Sequence, residues 1–207
     1  MVFKRLFDFF LSLLSLIFLS PLLFLVALII KIDLSGRGPV FYRGVRTGQF
    51  GKPFRIYKFR TMVVNAEKIG GPSTALNDAR LTKVGKFLRK YKIDELPQLV
   101  NVLKGEMSFV GPRPQVEKYT TLYNDEEKSI LSVKPGLTDF ASIKFINLDK
   151  ILGENQVNEK YLQQIEPEKN RLRIKYAREH SFCLDIKLIT QTLWHLLKVR
   201  SLWNTKN

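Results

Sequence analysis

Apolar residues concentrate at the start of the chain, where no charged side chain occurs between Phe9 and Ile30. As a straight helix rising about 1.5 Å per residue, this stretch would reach roughly 33 Å, enough to cross the hydrocarbon core of a bilayer. A secretory signal has a shorter apolar region that ends at a cleavage site with small residues, and the residues after Ile29 offer no such site. The pattern therefore predicts a membrane segment over residues 1–31.

The residues that flank and interrupt this segment bear on its path through the membrane. Lys4 and Arg5 precede the apolar stretch, and Lys31 follows it. Because positive charges favour the cytoplasmic side, a helix that enters and leaves on one side satisfies both flanks. Ser20-Pro21 lies near the middle, where proline removes a backbone donor and favours a bend. A kinked helix that spans the membrane accounts for the same residues, so these patterns alone leave both paths open.

Beyond the membrane segment, the chain alternates short apolar runs with glycine-rich and charged stretches. Runs at residues 39–42 and 54–59, separated by glycines, predict short strands and turns. Residues 84–90 predict a basic helix. A second helix is predicted from Asp94 to Lys104, because Pro97 suits a first turn and Gly105 suits the position after the last.

The C-terminal half predicts further helices. Residues 155–178 have the charge-rich pattern of a solvated helix that is interrupted near Pro167. Residues 184–203 mix apolar and aromatic side chains with basic ones, a pattern typical of an interfacial helix and also of a core helix. We therefore expect a mostly helical α+β protein, in which residues 32–207 form one domain after the membrane segment.

Length and charge narrow the function classes. The chain has 207 residues, and 34 Lys and Arg against 19 Asp and Glu give it a net charge of +15. So large a charge favours a polyanionic partner, whether nucleic acid, an anionic membrane surface or a phosphorylated substrate. The single Cys183 excludes an internal disulfide framework and a multi-cysteine zinc site. With only two histidines, a His-dependent triad is a poor starting hypothesis.

An acidic pair, Asp94-Glu95, stands among basic residues, between Arg89 and Lys104. A carboxylate with an ordinary pKa of about 4 is ionised at neutral pH and can attack phosphorus without a general base, while nearby cations neutralise phosphates. Arg113 lies between two prolines, in a stiff loop that suits bidentate phosphate contact. The simpler interpretations are that the acidic residues start a helix and that the prolines only turn the chain.

Four motifs occur in order along the chain: Phe3-Lys4-Arg5-Leu6-Phe7-Asp8, Tyr57-Lys58-Phe59-Arg60-Thr61-Met62, Asp94-Glu95-Leu96-Pro97-Gln98 and Met107-Ser108-Phe109-Val110-Gly111-Pro112-Arg113-Pro114. Taken together, they resemble those of the bacterial sugar transferases called monotopic phosphoglycosyl transferases. The resemblance covers nearly the whole chain and matches the small form, which is the catalytic unit alone. It implies an enzyme that moves a sugar 1-phosphate from a UDP-sugar to polyprenol (undecaprenol) phosphate and releases UMP.

The resemblance also implies a place in the cell and a membrane path. It places the chain at the cytoplasmic face of the bacterial inner membrane, in the first membrane step of glycoconjugate assembly. The family's membrane segment is re-entrant and bends at Ser-Pro, which favours a bend at Ser20 and Pro21 over a spanning helix. The implied architecture is a monotopic, re-entrant helix-break-helix followed by a small α/β catalytic domain with interfacial amphipathic helices.

Residue roles follow from the same resemblance. Asp94 is implied to be the nucleophile that forms a covalent phosphosugar intermediate, with Glu95 as the second member of the catalytic dyad. Mg²⁺ is implied as the required cofactor, with Asp94 as its ligand. The implied substrate-binding residues are Lys58, Arg60, Arg89 and Arg113.

One stretch departs from the family. Many members continue from Pro-Gly-Ile-Thr into Gly-Trp-Ala-Gln-Val-Asn-Gly-Arg, whereas Thr138 is followed here by Asp139-Phe140-Ala141-Ser142-Ile143-Lys144. The departure leaves the sugar unassigned. The sequence also leaves open the pathway and whether the chain forms a homodimer.

Two other functions compete with this one. A basic scaffold at the membrane, or a nucleic-acid-binding protein, would explain the charge but not the placement of Asp94-Glu95 between Arg89 and Arg113. An inverting glycosyltransferase with Glu95 as its base would release UDP rather than UMP. The partners that we expect are a UDP-sugar, polyprenol phosphate and anionic lipid, without nucleic acid.

Overall fold

The computed structural model describes residues 2–33, 38–69, 78–146, 148 and 157–204, without the side chains at positions 67, 68, 157, 158 and 196–204. The prediction of a mostly helical α+β protein is confirmed for this part of the chain. In chain order, the α-helices are α1 (Val2–Ile32), α2 (Ala66–Ile69), α3 (Lys83–Lys90), α4 (Leu99–Lys104), α5 (Glu117–Thr120), α6 (Phe140–Lys144), α7 (Val157–Lys160), α8 (Glu166–Glu179) and α9 (Phe182–Asn204).

The strands are short and occur in pairs. β1 pairs with β4, and β2 pairs with β3, both antiparallel, whereas β5 and β6 run parallel with Val110 opposite Thr138. Three 3-10 helices, at Gln49–Gly51, Ile93–Gln98 and Glu127–Ser132, and a π-turn at Tyr161–Ile165 connect the described elements. The strands are β1 (Phe41–Tyr42), β2 (Val45–Thr47), β3 (Pro53–Arg55), β4 (Lys58–Phe59), β5 (Ser108–Val110) and β6 (Gly136–Thr138).

The predicted membrane segment is a helix, α1, that is long and apolar enough to cross a bilayer. Pro21 lies inside α1 and has no N–H to donate to the carbonyl four residues earlier, which belongs to Ile17. The hydroxyl of Ser20 donates to the Ile17 carbonyl at 2.8 Å. The Ser20 hydroxyl therefore supplies a partner for the carbonyl that the proline leaves without its usual donor.

The N-terminal end of α1 is tied to the domain by polar contacts. The Arg5 guanidinium donates to the carbonyls of Val102 and Leu103, at 2.8 and 2.7 Å, near the end of α4. Carbonyls in the last turn of a helix lack the usual partner four residues on, so the arginine caps the end of α4, where the Gly105 N–H also donates to the Val102 carbonyl. Asp8 is buried and accepts the Phe109 N–H at 3.2 Å. This end of α1 is therefore fixed against α4 and β5.

The C-terminal end of α1 is fixed by apolar contacts instead. Val26 and Ile30 are 5% and 3% exposed and form a buried cluster with Phe59 of β4 and Leu88 of α3. Ile93, at the start of the 3-10 helix that follows α3, packs against the same cluster. Both ends of α1 thus contact one domain, while most of its large apolar side chains remain exposed.

The domain behind these contacts has several small cores. Ile56, Val102 and Met107 form one beneath α4, and Val110, Tyr176 and Leu188 belong to another that joins β5 to α8 and α9. The predicted C-terminal helix is present as α9. The side chains beyond position 195, which carry part of its amphipathic pattern, lie outside the described residues, so an interfacial position for α9 stays a prediction.

Candidate active site

The carboxylate of Glu95 is the centre of a cluster of opposite charges. Arg113 donates from Nη1 to Oε2 at 2.9 Å and from Nη2 to Oε1, a bidentate contact, and the Lys58 ammonium donates to Oε1 at 3.0 Å. We call Lys58, Asp94, Glu95 and Arg113 the catalytic cluster. The structure therefore brings together four of the residues that the sequence singled out.

The charge state of Glu95 follows from this pairing. Burial opposes ionisation, but the Arg113 and Lys58 cations outweigh it and hold the pKa of the Glu95 carboxyl well below its usual range. Burial lowers the pKa of Lys58, and the neighbouring Glu95 charge counteracts this. Glu95 is consequently a fixed negative charge that keeps two cations in place.

Asp94 is in the opposite situation, although it is the adjacent residue. It is 5% exposed, and its Oδ1 has no hydrogen-bond partner among the described residues. Burial, and then the Glu95 charge, raise the pKa of Asp94, while the charges of Lys58, Arg89 and Lys92 act to lower it. Because buried polar atoms are nearly always paired in native proteins, the unpaired Asp94 Oδ1 is an oxygen available to a ligand.

The backbone around Asp94 explains why its side chain is free. The sequence predicts that a helix begins at Asp94; in the structure the helix begins one residue earlier, at Ile93, and the N-cap position belongs to Lys92, in a left-handed conformation at φ 57°. The predicted single helix is divided into the 3-10 helix Ile93–Gln98 and α4, which ends at Gly105, as predicted, with φ 83°. Asp94 lies in the first turn of the 3-10 helix, so its carboxylate does not cap the helix.

The loop that carries Arg113 is held by the parallel pairing of β5 and β6. The Gly111 N–H donates to the Thr138 carbonyl at 2.9 Å, and the Gly136 N–H donates to Pro112 at 3.0 Å. A Cβ added at Gly111 would lie 2.2 Å from the Lys134 carbonyl oxygen, so this close approach requires glycine. Backbone contacts on both strands thus fix the loop before the arginine extends towards Glu95.

The two other predicted binding arginines lie in different places. Arg89, in the last turn of α3, is near enough to Asp94 for its charge to lower the pKa of that carboxyl. Arg60 is buried, and its guanidinium lies so close to Gly38 that a Cβ added there would clash with it. The charge of Asp33, which follows α1, acts to raise the pKa of Arg60 against the effect of burial. No described contact joins Arg60 to the carboxylate pair, and its binding role stays a prediction.

The stretch that departs from the family pattern contributes a residue that sequence reasoning missed. Asp139 is fully buried; its Oδ1 accepts the Ser142 N–H at 2.6 Å and caps α6, while its Oδ2 has no partner among the described residues. Its charge acts on Arg113. An aspartate three residues before a serine at the start of an apolar helical run is an N-cap signal, so the helix could have been found from the sequence.

The donor set at this centre fits Mg²⁺ in one way only. No group of three His, Cys, Asp or Glu side chains suited to a metal occurs in the described ranges. The orphaned Asp94 Oδ1 supplies one oxygen, and Glu95 is already occupied by Arg113 and Lys58. Because Mg²⁺ keeps several waters and commonly binds one or two carboxylates together with substrate phosphates, the residues fit an ion shared between Asp94 and a diphosphate.

The chain is similar to known sugar transferases over most of its length. A glucose-1-phosphate transferase of Klebsiella pneumoniae, named for UDP-glucose and undecaprenyl phosphate, is 41% identical over 203 residues, which are 94% of this chain and 40% of that protein. The uncharacterized sugar transferase EpsL of Bacillus subtilis (strain 168) is 35% identical over 207 residues, which are 100% of this chain and 93% of EpsL. An N-acetylgalactosaminephosphotransferase of Aeromonas hydrophila, named for UDP-N-acetylgalactosamine and undecaprenyl phosphate, is 38% identical over 68% of this chain and 33% of its own length.

The match covers very different shares of these relatives. The chain spans about two fifths of the Klebsiella enzyme but nearly all of EpsL. The family model described as bacterial sugar transferase matches residues 1–199, which include α1 and every member of the catalytic cluster. The chain therefore belongs to the bacterial sugar transferase family.

Proposed function

We propose that this chain transfers a sugar 1-phosphate from a UDP-sugar to polyprenol phosphate and releases UMP. The observation that carries the proposal is the buried, unpaired Oδ1 of Asp94 beside a Glu95 that is fully occupied by cations. The names of the Klebsiella and Aeromonas relatives supply the two substrate classes. A scaffold would explain the basic charge but not the placement of this carboxylate beside Glu95, Lys58 and Arg113.

In the first step, Asp94 Oδ1 attacks the phosphorus that is bonded to the sugar. The bond between that phosphorus and the oxygen bridging to the second phosphate breaks, and UMP leaves with the bridging oxygen. Arg113, Lys58 and Arg89 lie where they can neutralise the diphosphate. Glu95 holds Arg113 and Lys58 in place before the substrate arrives, which reduces the reorganisation that the reaction needs.

In the second step, a phosphate oxygen of the polyprenol phosphate attacks the same phosphorus. The bond to Asp94 breaks, the carboxylate is restored, and the product is a polyprenyl diphosphate sugar. Asp94 would hold Mg²⁺ when the ion is bound, and the ion would supply charge neutralisation for the phosphates. The anionic acceptor and the anionic leaving group both suit a chain with a net charge of +15.

We further propose that α1 is re-entrant, so that the site lies at the cytoplasmic surface of the membrane. Arg5 and Ile30 are 25 residues apart, which is about 37 Å along a straight helix. Both ends nevertheless contact the same domain: Arg5 donates to the Leu103 carbonyl, and Ile30 lies in the cluster against which Ile93 packs. These contacts at both ends, with Pro21 between them, support a bend near Ser20-Pro21.

Cysteine labelling tests this path. In a Cys183→Ser background, which removes the exposed native thiol, single cysteines at Val2 and Ser35 should react with a membrane-impermeant reagent from the same side. Replacing Pro21 with Leu should move part of the population to opposite sides, because the straightened helix is long enough to span. Opposite labelling in the unmodified helix would contradict the re-entrant path.

Product analysis tests the reaction. The full chain in detergent, given a labelled UDP-sugar and Mg²⁺ without acceptor, should release UMP and become heavier by one sugar phosphate, with the mass on Asp94. Release of UMP only after acceptor is added, with no label on Asp94, would contradict covalent catalysis and indicate direct transfer between two bound substrates. Release of UDP would indicate a glycosyltransferase. A panel of UDP-sugars in the same assay identifies the sugar.

A further inference from the structure

An apolar groove of about 370 Å³ lies between the second half of α1 and α3. Val26 and Ile29 of α1 form one wall, and Val84, Phe87 and Leu88 of α3 form the other, with Lys83 at the rim. The α3 residues are three and four positions apart, so they share one helix face. Phe87 and Ile29 are 56% and 42% exposed, which leaves the groove open along one side.

The groove ends next to the catalytic cluster. Leu88 belongs to the α3 wall, and the following residue, Arg89, is near enough to Asp94 for its charge to act on that carboxylate. Ile93, which packs on the same apolar cluster as Val26 and Leu88, directly precedes Asp94. One end of the groove is therefore cationic and adjacent to the proposed nucleophile, and the remainder is lined by hydrocarbon.

We propose that this groove binds the first isoprene units of the polyprenol phosphate acceptor, with the phosphate at Arg89 and the chain running between α3 and α1 into the membrane. The inference rests on the proposed function, from which it takes the acceptor. An anionic head followed by a long apolar chain is the amphiphile that complements a cationic end continuous with an apolar groove. One wall belongs to the membrane segment, so the chain can enter from the bilayer without crossing water.

The composition of the groove separates this ligand from a protein segment. A polypeptide would need partners for its backbone N–H and C=O groups, and Lys83 is the one polar side chain among the groove-lining residues. A polyprenyl chain has no such groups. A phospholipid acyl chain is the alternative occupant. Unlike the polyprenyl phosphate, it is not a substrate whose phosphate must lie beside Asp94.

Two substitutions that preserve the core test the groove through kinetics. Phe87→Ser and Ile29→Ser each remove an exposed wall side chain, and each should raise the KM for a full-length polyprenyl phosphate roughly tenfold. The KM for a short, two-isoprene phosphate should rise much less, because less chain lies in the groove. UMP release without acceptor should be unchanged, since the donor does not contact the groove.

Phe24→Ser is the matched control. Phe24 is 74% exposed on the same membrane segment but does not line the groove, so its loss reports general membrane insertion. The control should leave both KM values unchanged. An equal effect of Phe24→Ser and Phe87→Ser, or an equal effect of Phe87→Ser on long and short acceptors, would overturn the groove assignment.

A photolabelling arm does not depend on turnover. A polyprenyl phosphate with a diazirine near its phosphate should label residues 83–88 of the full chain without donor, and unlabelled polyprenyl phosphate should compete while phosphatidic acid should not. Labelling elsewhere, or equal competition by phosphatidic acid, would overturn the proposal. Labelling at residues 83–88 in a chain that releases no UMP would instead overturn the proposed function and leave the groove as a polyprenyl-binding site.

Discussion

The catalytic cluster and the contact between α1 and α9 are both built from charged side chains held largely away from water, but they are paired to different extents. We call Lys4, Tyr176 and Asp185 the anchor cluster. The Lys4 ammonium lies 2.6 Å from Asp185 Oδ2 and donates to the Tyr176 hydroxyl at 2.9 Å, and Tyr176 donates to Asp185 Oδ1 at 2.7 Å. Both oxygens of Asp185 are therefore satisfied, whereas Asp94 has an oxygen with no partner in the described structure.

The difference in hydrogen bonding between Asp185 and Asp94 is what we expect between a cluster that stabilises the fold and a cluster that reacts. A buried ion pair with complete hydrogen bonding resists change, because removing one partner leaves the other charge buried and uncompensated. A buried carboxylate with an unpaired oxygen already carries that cost in the folded state, and a ligand removes it. Glu95 combines the two conditions: it is as completely paired as Asp185, but its partners are the cations that the diphosphate would contact.

The strongest test of the comparison is the same substitution in both clusters, beginning with Asp94→Asn. Turnover and covalent labelling should fall together by at least about a thousandfold, because the amide is a poor nucleophile. Stability should hold or increase. The folded state raises the pKa of Asp94, so it binds the proton more tightly than the unfolded state, and the charge at neutral pH lowers stability.

Measurements of acceptor-free labelling and of Tm on the same preparation check both parts. Each kcal/mol recovered should raise Tm by roughly 2–4 °C for a chain of this size. A folded Asp94→Asn protein that still turns over would remove Asp94 from the role of nucleophile. A lower Tm would mean that its carboxylate has a partner in solution.

Arg113→Lys should have the next largest effect. A lysine retains the charge but cannot form two parallel hydrogen bonds, so Glu95 loses its bidentate partner and the phosphates lose a planar donor. We expect kcat/KM to fall roughly a hundredfold, within the range seen when one donor to a developing charge is removed.

Arg178→Lys is the matched control for this exchange. Arg178 is exposed and donates to Glu126 at 2.8 Å on the surface of α8. Exposed ion pairs contribute little, so its activity should equal that of the unmodified chain. Equal activity of the two variants would mean that the Pro-Arg-Pro loop only turns the chain.

The sequence predicted the elements of this site better than it predicted their partners. The acidic pair, the basic helix before it and the glycine that ends α4 were all evident from residue types within a few positions. The sequence did not show which of the two carboxylates is paired with cations. Lys58 and Arg113 are 37 and 18 positions from Glu95, and they reach it only because β4 and the loop after β5 lie beside it. Adjacent residues thus have opposite pKa shifts for reasons that local sequence does not contain.

A strand boundary shows the same limitation. Residues 54–59 have the apolar pattern of one strand, but the structure ends β3 at Arg55 and begins β4 at Lys58. The Tyr57 N–H donates to the side chain of Asn101 at 2.9 Å, and the amide of Asn101 donates to the Arg55 carbonyl at 2.9 Å. A buried side chain from α4 therefore takes the place of strand pairing and turns the chain so that β4 starts at Lys58.

Asp185→Asn is the other half of the matched pair and should mainly affect stability. It weakens the salt bridge to Lys4, whose side chain is 27% exposed, so we expect a loss of about 2 kcal/mol rather than the larger cost of a fully buried pair. Tm should fall by roughly 4–8 °C. Acceptor-free labelling of Asp94, measured well below the new Tm, should continue at nearly the original rate.

A different result would connect the two clusters. Lys4 also donates to the Val110 carbonyl at 3.2 Å, and Val110 lies three residues before Arg113. If Asp185→Asn slowed labelling as much as it lowered stability, the anchor cluster would be positioning the catalytic arginine, and the distinction drawn above between the clusters would fail.

The smallest expected effect is a shift in the pH dependence of labelling. Only ionised Asp94 attacks, and burial together with the Glu95 charge raises the pKa of Asp94, so the labelling rate should fall on acidification at a higher pH than an ordinary carboxylate would give. Glu95 stays ionised through this range, because Arg113 and Lys58 hold its pKa well below the usual value.

Glu95→Gln removes the like charge beside Asp94 and frees the two cations, and both changes lower the pKa of Asp94. The acidic limb of the labelling rate should therefore move to lower pH in Glu95→Gln, even though the maximum rate falls. A limb that stays in place would assign the titration to a group other than Asp94, and a limb that moves to higher pH would mean that Glu95 acts on Asp94 through structure rather than through charge.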